Sequence, residues 1–365
     1  MPRRALARVN LGAIERNAAL LRASLEGGAE LCAVVKADGY GHGAAHAARA
    51  ALAGGASWLA VATAEEAAAL RKDGIDARIL VMGALSSEEL PVALDADADV
   101  VAWDERFVDQ LIAAGPARVH VKLDTGMGRL GTRSEDDALA LAGRVASAGP
   151  ALELVGAMTH FATADGDLEF LEHQLVAFTH FVDTLRSGRP GIVAHAANSA
   201  ATLRSKASHF DLVRCGIAVY GLDPMNEDPA ARGLEPALEL TSYVAAVKLA
   251  RKGDSAGYGR RFIADSDTWI ATLPIGYGDG VRRALTNNCD VLVRGKRYPL
   301  VGTVSMDNVT IDLGPEPAVE AGDVATLIGT DGAERLTAEE MARRIQTINY
   351  EIVCGISARV PREYR

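Results

Sequence analysis

Cysteine is scarce in this sequence. Its 365 residues contain four, Cys32, Cys215, Cys289 and Cys354, widely spaced and never in a C-x-x-C pair. That excludes a zinc cluster or a disulfide framework and points to a reducing cytosol. No stretch approaches the roughly 18 uninterrupted apolar residues of a membrane span. The basic start, MPRRALARVNLGAIERN, has no apolar core of signal-peptide length. A soluble cytoplasmic protein with no membrane partner is expected. Positive charge is also short: 38 Lys and Arg face 48 Asp and Glu, a formal charge of −10. This argues against nucleic acid or an anionic membrane as partner, although a local pocket can still take a small anion. Low-complexity tracts and proline-rich linkers are absent. With 49% apolar and 24% charged residues, the chain is not wholly disordered.

What is present is a rhythm. Short apolar runs begin at Leu31 (LCAVVKA), Trp58 (WLAVAT), Arg78, Asp99, Arg118 (RVHVKLDTG), Leu152, Ile192 and Phe210. Helix-like stretches alternate with them, such as AEEAAALRKDG from Ala64, ERFVDQLIAAG from Glu105 and a long one from Leu168. Each of these three ends in glycine, a common helix stop. Several of the short runs are apolar at consecutive positions, as in parallel strands covered on both faces. Eight strand-plus-helix units predict a (β/α)8 TIM-type barrel over residues 1–235. A doubly wound open sheet is the alternative, but no G-x-G-x-x-G follows the first strand. Beyond Leu234 the pattern turns to Val, Thr and frequent Gly, predicting a mainly antiparallel β domain over 236–365. A helical segment, AEEMARRIQTINYEIV, starts at Ala338.

Barrel enzymes place their chemistry at the carboxyl ends of the strands. The residues closing the runs are Lys36, then Lys122, Asp124 and Arg129, then His160, then His195, Asn198 and Ser199, and finally Arg214, Gly216 and Ile217. Phosphates often bind the last two loops of such barrels. There the Ser199 hydroxyl and the backbone of Gly216 and Ile217 are available. A lysine ending a buried strand is costly unless paired or neutralised. A Schiff base with an aldehyde neutralises it, and a phosphate pocket across the mouth suits pyridoxal phosphate. A lysine reaching out to solvent is the plainer alternative. His42 and His46, four apart, form a conceivable metal pair without an evident third ligand, so no metal is expected.

The run AVVKADGYGHG, Ala33 to Gly43, closely resembles the cofactor-lysine signature of alanine racemases. Further blocks resemble that family in the family's order: LDTGMGRLG from Leu123, THFATAD from Thr159, HAANSAA from His195, VRCGIAVYGL from Val213, AGYGR from Ala256, LPIGYGDG from Leu273, GTVSMDNVTID from Gly302 and TINYEI from Thr347. The resemblance implies a pyridoxal 5′-phosphate-dependent isomerase interconverting L- and D-alanine and supplying D-alanine for peptidoglycan. Lys36 matches the cofactor lysine and one racemisation base. Tyr258 matches the opposing base, contributed by the second subunit of a homodimer with shared active sites. His160 and Arg214 match the groups behind that tyrosine, with Arg214 also at the pyridine nitrogen. Tyr40, Asn198, Ser199, Gly216, Ile217 and Tyr350 match cofactor-binding positions. Arg129 matches a contact to both cofactor and substrate carboxylate, and Met306 and Tyr277 match substrate-side positions. Lys122 matches a lysine often carbamylated in the family. Ser305 departs from the expected cysteine.

Two bases on opposite faces are a chemical need, because racemisation takes the Cα proton from one side and returns one to the other. Arginine at the ring nitrogen donates a hydrogen bond and cannot give up its proton, so the nitrogen stays unprotonated and transamination is suppressed. Two alternatives remain at this stage. One is a broader racemase acting on serine or basic amino acids. The other is a non-enzymatic pyridoxal phosphate carrier, which would have no evident use for Tyr258 and Met306.

Overall fold

The computed structural model describes residues 3–365. Its strands of first interest, in chain order, are β1 (Leu6–Val9), β2 (Glu30–Val34), β3 (Trp58–Val61), β4 (Arg78–Val81), β5 (Ala98–Ala102), β6 (Ala117–Lys122), β7 (Leu152–Met158), β8 (Val193–His195) and β9 (Leu212–Cys215). Strands β2 to β9 form one eight-stranded parallel sheet in the order β8-β7-β6-β5-β4-β3-β2-β9. Backbone bonds from Asp211 N to Ala194 O (3.1 Å) and from Arg214 N to Ala197 O (2.9 Å) tie the β9 segment to the β8 segment. The sheet is thereby a nearly closed barrel.

The consecutive apolar residues do what their pattern predicts. All four residues of β3, all five of β5 and all four of β9 are buried. Several of the helices between strands start on side-chain caps. Thr63 and Glu66 make a reciprocal capping box before Ala64–Lys72. Asp104, Ser134 and Asp167 cap Glu105–Ala114, Glu135–Ser147 and Leu168–Gly188.

The two compact units divide differently from the expected 1–235 and 236–365. One is Ile14–Val219; the other runs from Tyr220 to Arg365 and includes the stretch through Ala13. The reason is a non-local pairing. Strand β1 lies antiparallel to Leu238–Tyr243, Leu6 opposite Thr241, and parallel to Arg362–Tyr364. No local signal in the first residues announces this. The second unit is built on a ten-stranded sheet, antiparallel in every pairing but β1 with Arg362–Tyr364, with a separate two-stranded pairing of Ser255–Ala256 and Phe262–Ile263. The helical segment from Ala338 is two helices, Ala338–Arg344 and Asn349–Cys354, separated at Gln346, whose φ is 58°. No helix of the described residues is long and apolar enough to cross a membrane.

Candidate active site

Lys36 follows directly on β2 and Val35, and opens a backbone of unusual hand. Ala37, Asp38, Gly39 and Tyr40 all have positive φ, between 52° and 61°. A left-handed conformation costs a non-glycine residue about 1–2 kcal/mol, so something must hold it. Gly39 N donates to Val35 O (2.9 Å) and Gly41 N to Ala37 O (3.0 Å). The Asp38 carboxylate accepts from Ala44 N at 2.8 Å, and Glu66 Oε1 accepts from Ala37 N at 2.6 Å. The cap residue Glu66 therefore also anchors the residue beside Lys36. Strain of this kind gathers at functional sites. His42 turns inward, its Nδ1 3.1 Å from Gly39 O and 3.0 Å from Tyr40 O; it braces this loop.

Facing that loop are the ends of β8 and β9. Asn198 caps Ser199–Arg204, accepting from Ala201 N at 3.0 Å. The buried Ser199 Oγ accepts from Gly216 N (2.9 Å) and Ala218 N (3.4 Å). A Cβ on Gly216 would overlap the Tyr40 hydroxyl, so glycine is what lets Tyr40, Ser199 and the Gly216–Ile217 backbone converge. Hydroxyls and backbone N–H groups gathered without a carboxylate suit a phosphate.

Arg214, 2% exposed, is clamped from several sides. Its Nη1 donates to His195 Nδ1 at 2.8 Å. Its Nη2 donates to Thr159 O (2.8 Å), Ala196 O (2.9 Å) and His160 Nδ1 (3.2 Å). Its Nε, also buried, has no hydrogen-bond partner among the described residues. A buried N–H left over beside a clamped guanidinium costs free energy unless a ligand acceptor meets it. An unprotonated pyridine nitrogen is such an acceptor. The donor set and the Gly216 cradle therefore fit pyridoxal phosphate. Burial lowers the Arg214 pKa to about 10, so the group remains cationic at neutral pH.

That cation shapes its neighbours. Burial, then Arg214, Arg129, Lys122 and Lys36, push His160 well below the usual histidine value. It stays neutral, accepts at Nδ1 and carries its hydrogen on Nε2. Lys122 ends β6 almost fully buried; burial, then Arg214 and Arg129, bring its pKa down to about 8. Asp124 is a loop holder rather than an acid: its carboxylate accepts from Gly126 N (3.1 Å) and Gly128 N (3.0 Å). It shapes the loop bearing the exposed Arg129. Beside Arg214, burial lifts the Cys215 thiol to about 12, which leaves it inert.

The remaining expected residues belong to the second unit. Tyr258 is 75% exposed. It follows Gly257, whose φ of 72° and close approach to Thr303 N exclude a side chain, and its carbonyl accepts from Thr303 Oγ1 at 2.7 Å. Tyr277 and Met306 are exposed on two loops joined by Tyr277 N to Ser305 O and Gly278 N to Met306 O, both 2.9 Å. Tyr350 lies on Asn349–Cys354, a helix held where Asn349 Nδ2 donates to Asp223 O (2.8 Å) and Glu339 Oε1 (2.9 Å).

Residues 9–224 match the family description "Alanine racemase, N-terminal domain", and residues 237–364 match "Alanine racemase, C-terminal domain". The chain belongs to the alanine racemase family. It is 42% identical over 366 residues to the alanine racemase of Halalkalibacterium halodurans, covering 98% of this chain and 94% of that protein. With the alanine racemase of Mycobacterium bovis the identity is 44%, covering 98% and 95%. Among solved structures, alanine racemase from E. faecalis superposes with a TM-score of 0.93 at 36% identity, covering 100% of this chain and 98% of that one. The Bacillus anthracis alanine racemase with bound L-Ala-P gives 0.91 at 38%, covering 100% and 96%.

Sequence reading had passed over four groups around these family residues. Glu66 braces the lysine loop. Gln174, fully buried, donates from Nε2 to Thr125 Oγ1 (3.1 Å) and His160 O (3.2 Å). Asp99 and His120 lie inside the barrel with no exposure. The signal for His120 was present: Arg118, His120 and Lys122 alternate through an otherwise apolar strand, so all three take one face.

Proposed function

We propose that the chain interconverts L- and D-alanine with pyridoxal 5′-phosphate carried on Lys36, in the cytoplasm, supplying D-alanine for peptidoglycan. The observation that carries the reading is Arg214: a buried, clamped guanidinium with Nε–H left over, at the mouth where Lys36 emerges. When bound, the cofactor supplies an electron sink for charge developing at the substrate Cα.

The chain's own groups do the rest. Tyr40, Ser199 and the backbone at Gly216 and Ile217, with Asn198 holding the turn, would bind the phosphate; Tyr350 matches a cofactor-binding position of the family. Arg214 donates to the ring nitrogen and, being unable to release its proton at neutral pH, keeps it unprotonated. Lys36 removes or returns the Cα proton on one face. Tyr258, given by the second subunit of a homodimer, does so on the other, with His160 fixed behind it as a neutral hydrogen-bond donor. Arg129 and the backbone of Met306 of the partner subunit hold the substrate carboxylate, and Tyr277 narrows the entrance to a small side chain. The depressed pKa of Lys122 gives it the free-amine fraction that carbamylation needs, and a carbamate there would turn a cation into an anion beside Arg129.

Neither alternative is favoured. A carrier has no use for the second unit's Tyr258 and Met306, and residues 9–224 and 237–364 match the two family domains. A chiral assay across the common amino acids, with pyridoxal phosphate added, tests the substrate. Alanine is expected to racemise fastest; a preference for serine or a basic amino acid would replace this reading.

A further inference from the structure

Behind Arg214 the barrel interior holds a line of polar groups. His195 Nε2 lies 2.8 Å from His120 Nδ1, and His120 Nε2 lies 3.0 Å from Asp99 Oδ2. Asp99 is met from the other side by Arg78 Nε at 2.9 Å and Arg118 Nε at 2.6 Å. His195, His120 and Asp99 have no exposure at all. Burying three ionisable groups is expensive unless each is fully paired, and a strand needs none of them.

The backbone gives way to make room. Strand β7 carries Gly156 where a Cβ would overlap the His120 ring. The β6–β7 register shifts between Val119 and His120. Glycine inside a strand weakens it, and here the weakening admits an imidazole.

Every bond in the line has one direction. A guanidinium has no acceptor, so His195 must accept at Nδ1 and carry its hydrogen on Nε2. His120 then accepts at Nδ1 and donates from Nε2 to the carboxylate. Burial pushes both histidines below their usual value, so each is neutral. Burial opposes the Asp99 charge, but bonds from His120, Arg78 and Arg118 bring its pKa to about 2.

We propose that Asp99, His120 and His195 are positioning residues: a one-way hydrogen-bond relay that orients Arg214 as a fixed donor and thereby sets reaction specificity. This rests on the reading of Arg214 as the partner of the cofactor ring nitrogen. Successive bonds in a low-dielectric interior polarise one another. The Asp99 charge therefore strengthens the acceptor that His195 offers to Arg214. With it weakened, the guanidinium turns more freely, and a larger share of turnovers ends in transamination, releasing pyruvate and leaving pyridoxamine phosphate.

The test uses the full-length holoenzyme. Nitrogen-15 NMR of the histidine-labelled protein is expected to show His195 and His120 as neutral Nε2–H tautomers from pH 6 to 9. Asp99→Asn keeps an acceptor without the charge. It is expected to shift the cofactor's visible absorption, lower kcat about tenfold with KM little changed, and raise pyruvate formed per racemisation by a similar factor. A His195 carrying hydrogen on Nδ1 overturns the relay even if the variant fails to fold. So does an Asp99→Asn enzyme with wild-type kcat, spectrum and pyruvate partition. Absence of alanine racemisation in the unaltered protein would sink the functional reading instead, leaving the tautomers to be judged on their own.

Discussion

Arg214 Nη2 stands 3.2 Å from His160 Nδ1, and because only the arginine can donate, the histidine's hydrogen is held on Nε2, away from it. His160 is thus a neutral donor whose orientation is fixed by a cation that never releases its proton at neutral pH. Positioned behind a phenol, such a group holds the phenolic oxygen without competing for protons.

For Tyr258 this gives an asymmetric expectation. On the proposed two-base mechanism, Tyr258→Phe removes the base of one face and leaves Lys36 on the other. Loss of a positioned general base costs about 10²–10⁴-fold. Solvent deuterium incorporation into alanine is expected to collapse in one direction of the reaction and to fall much less in the other. Wild-type exchange in both directions would remove Tyr258 from the mechanism.

A mixing experiment is decisive for the proposed homodimer with shared sites. Lys36→Ala and Tyr258→Phe are each expected to be nearly inactive alone. If Tyr258 serves the partner's site, a hybrid dimer holds one intact site. An equimolar refolded mixture then recovers about a quarter of wild-type activity, by random pairing of two protomers. No recovery from a mixture shown to contain hybrids would mean that each subunit builds its site alone.

Gly216→Ala tests the phosphate end. The added methyl meets the Tyr40 hydroxyl. Overpacking of this sort costs about 1–3 kcal/mol, corresponding to roughly 5- to 150-fold weakening if it falls on cofactor affinity. Titration of pyridoxal phosphate into the cofactor-stripped protein measures it. Unchanged affinity would move the phosphate elsewhere.

The barrel and the family were legible in the sequence because the proposed cofactor residues cluster at strand ends. Lys36 with Tyr40, and Arg214 with Gly216 and Ile217, each sit within one short run. What stayed hidden is non-local. His120 and His195 are 75 positions apart and Asp99 is 21 from His120, so no window of sequence joins them. Gly156 reads as a flaw in a strand until the His120 ring is seen against it. Likewise, the division after Ala13 depends on Leu6 meeting Thr241, a pairing that nothing near Leu6 encodes.

Three histidines with lowered pKa values also give stability a pH dependence. His120, His160 and His195 all lie below their unfolded value of 6.5. Below that pH the unfolded chain binds more protons, so their contribution is fully present above pH 6.5 and is lost as pH falls. The slope is up to about 1.4 kcal/mol per pH unit for each. Urea midpoints at pH 7.5 and 5.5 are expected to differ clearly, the lower pH being less stable. Equal midpoints would mean that these imidazoles titrate normally.

The central claim is covalent attachment at Lys36, and the purified Lys36→Ala protein tests it most directly. Unaltered protein is expected to show visible absorbance that borohydride abolishes, together with alanine racemisation. The variant should lose both while keeping its fold by circular dichroism. A folded, coloured and active Lys36→Ala protein would contradict the account.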